Sequence, residues 1–162
     1  MKHKIGIAIC IVLVVFTVGF IWNNSSKSNT VSHDDSEVVA EKIEQIVTDN
    51  GQKEPSDTLS AFLGAIRKAA HAIEFFILGI GLTALTFIIK KRFSPQLLWN
   101  ILSSSLAIAV IDESIQIISG RGPKVKDILI DFCGAAAGFL LTLFIRFIIS
   151  SLKKGKRNYV KN

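Results

Sequence analysis

Three short stretches carry residue types and spacings that can do chemistry. Arg67, His71, Glu74 and Leu78 follow a 4-3-4 spacing, which puts them on one face of a helix. Asp112 and Gln116 stand four apart, with Glu113 beside them, and Asp127 and Asp131 form a second pair four apart. A histidine near carboxylates can exchange protons with a substrate. Clustered carboxylates can instead hold a hard divalent cation, and Glu74, Asp112, Asp127 and Asp131 are the set suited to it. Arg67, Gln116, Arg121 and Lys124 have the donors to hold a phosphate or carboxylate. His71, Glu74, Asp112, Glu113, Asp127 and Asp131 are therefore the candidate catalytic residues. No metal centre and no cofactor is assigned from spacing. The chain has no HExxH helix, no Gly-rich phosphate loop and no metal-ligand cysteine spacing.

These residues stand at the ends of long apolar blocks, and the blocks decide the fold class. Hydrophobic residues make up 49% of the 162, gathered in Ile5–Trp22, Ala72–Ile89, Leu97–Ile111 and Ile128–Ile149. A hydrocarbon core about 30 Å thick takes about 20 apolar residues at helical rise. The pattern predicts an all-α integral membrane protein with four transmembrane helices, and too little chain remains for a separate soluble core.

The expected organisation is a transmembrane anchor over 1–22, an extracytoplasmic loop over 23–66, a three-helix membrane core over 67–152 and a basic tail over 153–162. The first apolar run exceeds a signal-peptide core and no Ala-x-Ala site follows it, so it reads as an uncleaved helix with Trp22 at the interface. Asn23 to Asp57 is polar and acidic, and its Ser/Asn-rich start reads as a loop. Ser36–Thr48 and Leu59–Ile66 read as short amphipathic extracytoplasmic helices packing outside the bundle. Ser94-Pro95 separates the second helix from the third, and Gly120-Arg121-Gly122-Pro123 makes a turn before the fourth. The third helix, with Asn100 and Ser103 to Ser105, is expected to be the most enclosed. Gly134 and Gly138 offer a small-xxx-small face for a close helix contact, within the chain or between copies.

A net charge of +6 raises nucleic acid as a partner. The basic residues gather at helix ends, as in Lys90, Lys91 and Arg92, which suits anionic headgroups and excludes a nucleic-acid reading. Cys10 and Cys133 lie in apolar blocks toward opposite faces and read as small hydrophobes. With both termini cytoplasmic, Lys2, Lys4, Lys90, Lys91, Arg92 and the basic tail fall inside. Fewer Lys and Arg then fall outside, several of them among the loop's carboxylates.

Depth arithmetic unites the charged residues. Glu74 and His71 lie 16 and 19 residues before Lys90, about 24 and 28 Å along a helix. Asp112 lies 17 residues after Pro95 and Asp131 lies 18 before Ile149, about 26 and 27 Å. Three helices thus bring carboxylates to one level near the outer edge of the hydrocarbon, with the Gly134–Gly138 stripe beneath them. A charged residue at mid-membrane costs about 2.5–3.5 kcal/mol on insertion scales, less near the interface. Lys68, Lys124 and Lys126 read as ordinary interfacial charges. His71, Glu74, Asp112, Glu113, Arg121, Asp127 and Asp131 read as one functional or structural network.

The same residues carry a family resemblance. Arg67-Lys68-Ala-Ala-His71-Ala-Ile-Glu74-Phe75 resembles the opening of the second helix in VanZ-like membrane proteins, with Phe75 where Tyr is usual. Asp112-Glu113-Ser-Ile-Gln116, Gly120-Arg121 and Asp127-Ile-Leu-Ile-Asp131-Phe-Cys-Gly134 resemble that family's second signature, with Ile115 where His is common. The resemblance implies a multi-pass protein of the bacterial cell membrane, linked to glycopeptide (chiefly teicoplanin) resistance. Two functions compete. One is capture of a lipid-linked, cell-envelope or glycopeptide ligand at the outer leaflet. The other is an enzyme on a lipid-linked or wall-precursor substrate. A transporter fits less well, because coupling sites lie near the midplane.

Overall fold

The computed structural model describes residues 2–26, 56–90, 94–119 and 125–159. They form four helices: α1 (Lys2–Ser26), α2 (Ser56–Lys90), α3 (Pro95–Ile118) and α4 (Val125–Tyr159). All four are long and apolar enough to cross a membrane. Phe16, Trp99, Phe144 and Phe147 point outward, which suits a lipid surface and would be costly in water. The protein is therefore a multi-pass helical membrane protein.

Two helix boundaries extend past the sequence expectation. α1 runs through Asn23, Asn24 and Ser25 to Ser26, where polarity had predicted a loop. Val14, Val18, Ile21 and Ser25 continue one inward stripe, so the last turn packs where a free end would fray. Leu59–Ile66 belongs to α2, which is unbroken from Ser56. The expected helix at Ser36–Thr48 lies outside the described residues, as do Arg121 and Lys124.

The α2–α3 break falls where expected. Ser94 has extended backbone (φ −140°, ψ 152°), and its Oγ accepts from the Leu97 amide at 3.3 Å. Pro95 fills the first helical position, where its missing N–H costs nothing. Of the four spans, α3 has the largest buried share.

The α2–α4 pair is the most extensive contact in the bundle. A Cβ on Gly134 would strike the Ala72 carbonyl, and one on Gly138 the Phe76 carbonyl. Gly79 of α2 returns the arrangement, since its Cβ would strike the Ala135 carbonyl. The small-residue face is thus spent inside the chain, backbone against backbone. Phe75, Leu78, Ile21, Ala109 and Ala135 pack beside it as one core, and Phe87, Leu97, Ile101 and Phe139 form another toward the opposite end.

A buried polar cluster at one end of the bundle

The four helices alternate in direction, so the end of α1, the first half of α2, the end of α3 and the start of α4 meet at one end. Here Asp112 is 0% and Asp131 1% exposed, and Glu113 and Gln116 are also buried. His71 Nδ1 lies 3.7 Å from Glu74 Oε2 and 3.9 Å from Asp112 Oδ2. One donor atom from each of His71, Asp112 and Asp131 falls within 4.8 Å of the others. Three separate helices thus converge on one small volume.

Donor and acceptor accounting separates this end from the rest of the bundle. Thr83 and Ser105, both buried, donate to the carbonyls of Gly79 (2.6 Å) and Ile101 (2.9 Å), four residues back in their own helices. Thr86 and Thr142 do the same. A hydroxyl is satisfied locally because helix carbonyls retain a second lone pair. A carboxylate has no such recourse, because the N–H groups of a helix interior are already used. It must find donors on other side chains or on something bound.

Two side-chain donors are present, one on the same helix and one on another. Gln116 Nε2 donates to Asp112 Oδ2 at 2.9 Å, and Asn24 Nδ2 donates to Glu74 Oε1 at 2.8 Å. The partner oxygens Asp112 Oδ1 and Glu74 Oε2 are buried with no hydrogen bond among the described residues, and so is His71 Nδ1. Leaving a buried acceptor unmatched costs about 1–3 kcal/mol, more when it is charged. Trp22 Nε1 and Ser25 Oγ, at the same end of α1, are unmatched as well.

The candidate residues sort into a centre and a rim. His71, Asp112 and Asp131 make the centre; Glu74 and Gln116 contact it directly. Asp127 stands at the rim, 3.4 Å from the half-exposed Lys68. Glu113 is buried one residue from Asp112, a step that turns it to a different face of α3. Arg67 is half-buried one turn before His71. Sequence reasoning missed Asn24 and the clasp in which Ser119 Oγ donates to the Ser25 carbonyl at 3.1 Å. The signal available was the Val14–Val18–Ile21 stripe, which reaches Ser25 when extended by one turn.

The VanZ/LLP1 family model matches residues 6–146, a span that reaches all four helices and every residue of this cluster. The chain belongs to the VanZ/LLP1 family. No curated protein and no solved structure matches it. In this VanZ-family chain Ile115 is half-buried, and its carbonyl accepts from Ser119 Oγ at 2.9 Å.

Proposed function

We propose that this VanZ-family protein captures a polar headgroup, carried by a lipid-linked or other cell-envelope ligand, in the cluster at the end of its bundle. One observation carries the reading. Asp112 is wholly buried among apolar helices with Oδ1 unmatched, and its other oxygen, Oδ2, lies 3.9 Å from an imidazole nitrogen that is also unmatched. A purely structural network would close its hydrogen bonds on itself. An open one is completed by what it binds.

The Lys/Arg distribution supports placing this end at the outer leaflet of a bacterial cell membrane, with both termini cytoplasmic. Envelope precursors and glycopeptides such as teicoplanin are reached from that side, which gives the resistance phenotype linked with the family a physical route. Arg121 and Lys124, which precede α4 in the sequence, carry the charge to hold an anionic group.

The test is native mass spectrometry of the full chain released from bacterial membranes. Wild type should carry a lipid or envelope fragment that Asp112→Asn and His71→Ala lose at equal protein abundance. If the variants fail to accumulate, or retain the same adducts, the cluster is architectural and the reading fails.

One observation favours an enzyme as the second reading: His71 Nδ1 is flanked by two carboxylates within 4 Å, an arrangement that can relay a proton to or from a bound substrate. Turnover would appear as a lipid species altered in membranes containing wild type and unaltered with His71→Ala.

A further inference from the structure

The cluster centre has the composition and spacing of a cation site. Donor atoms at about 2.0–2.4 Å from one ion lie no more than about 4–4.8 Å from each other. His71, Asp112 and Asp131 meet that limit, with donor atoms within 4.8 Å of one another. Acidic residues near each other are common, so their proximity alone decides nothing. Two further facts point to a ligand. Asp112 is 0% exposed, and its Oδ1 has no hydrogen-bond partner among the described residues, while Gln116 occupies only Oδ2. His71 Nδ1 is likewise unmatched and stands 3.7–3.9 Å from two carboxylates, too far to hydrogen-bond and close enough to share a coordination sphere.

We infer that His71, Asp112 and Asp131 bind one divalent first-row metal ion. The proposal rests on the reading of this end as a binding site and names what the site holds first. One imidazole nitrogen with two carboxylates suits Mn²⁺ or Zn²⁺ better than Mg²⁺ or Ca²⁺, which prefer oxygen alone. Three protein ligands leave further coordination positions open, as in metal sites that also bind a substrate. An oxygen of a phosphate or carboxylate headgroup can complete the sphere, which makes an acidic cluster compatible with an anionic ligand. Gln116, donating to Asp112 Oδ2, the oxygen 3.9 Å from His71 Nδ1, orients that carboxylate, and Oδ1 has no hydrogen-bond partner among the described residues.

The probe is Mn²⁺ alone, added to the full chain purified in detergent and stripped with EDTA, followed by electron paramagnetic resonance. Wild type should take up one equivalent and show an imidazole nitrogen modulation in its spin-echo spectrum. Asp112→Asn and Asp131→Asn should each weaken uptake by about tenfold or more, the scale of loss for groups supporting a metal. His71→Ala should lose the nitrogen modulation, and Ser114→Ala, on the exposed side of α3, should match wild type. Circular dichroism checks that each variant folds. If one does not, the wild-type spectrum decides alone: no saturable uptake, or uptake without nitrogen modulation, overturns the site. Modulation that persists in His71→Ala also overturns it. Retention of an envelope ligand without Mn²⁺ uptake defeats the metal site and spares the binding reading; uptake without any retained ligand does the reverse.

Discussion

The glycine contact between α2 and α4 gives a prediction whose size can be worked from the coordinates. In Gly138→Ala the new methyl would sit well inside contact distance of the Phe76 carbonyl oxygen, 3.0 Å from the Ile80 nitrogen and 3.1 Å from the Phe76 carbonyl carbon. Carbon and carbonyl oxygen normally stand about 3.3–3.6 Å apart. The obstacle is backbone on both sides, so no rotamer change relieves it, and the helices must part by about 1 Å. A gap of that size forfeits a quarter to a half of each contact's attraction along the seam. Overpacking of this kind costs about 1–3 kcal/mol. Gly64→Ala supplies the control, because its Cβ meets nothing within 4 Å. There the better helix propensity of alanine should stabilise by up to about 1 kcal/mol. The assay is equilibrium unfolding in mixed micelles on SDS titration, read by circular dichroism. The two substitutions should move the midpoint in opposite directions. Equal midpoints would refute the close packing of α2 on α4.

Other substitutions probe the polar end and the orientation. Asn24→Ala removes the donor to Glu74 Oε1 and should destabilise by about 1–3 kcal/mol in the same titration, a loss unexpected of a loop residue. Thr83→Val should stay within about 1 kcal/mol despite complete burial, because the hydroxyl only supplements the Gly79 carbonyl's place in the helix ladder. Lys68→Gln should leave Mn²⁺ uptake within about twofold, since Lys68 pairs with Asp127 at the half-exposed rim and exposed pairs contribute little. A green fluorescent protein fused after Asn162 should fluoresce, and alkaline phosphatase fused there should stay inactive; the reverse would turn the site to the cytoplasmic side.

Helix number and type were legible because apolar blocks near 20 residues have few alternatives at bilayer thickness. The level of the charged residues was legible for a related reason: helical rise is nearly constant, so counting from Lys90, Pro95 and Ile149 locates a residue along the membrane normal. Azimuth was harder. Periodicity put Asp127 and Asp131 on one face, yet Asp131 is at the centre and Asp127 at the rim, a difference of one turn in depth. The end of α1 was misread because Asn and Ser favour loops in water, whereas here Asn24 and Ser25 make tertiary contacts with Glu74 and Ser119. Gly134 and Gly138 signalled a close contact, but only three dimensions supply the partner, since on α2 the same face shows only the weaker Gly79-xxx-Thr83 pair.

The most direct test of the central claim is an experimental density map of the full chain in native bacterial lipid, at a resolution that separates side chains. Bound density should stand against Asp112 Oδ1 and His71 Nδ1, continuing outward past Glu74 into a headgroup. A cluster in which those atoms instead bond directly to protein side chains, with nothing further bound, would contradict the account.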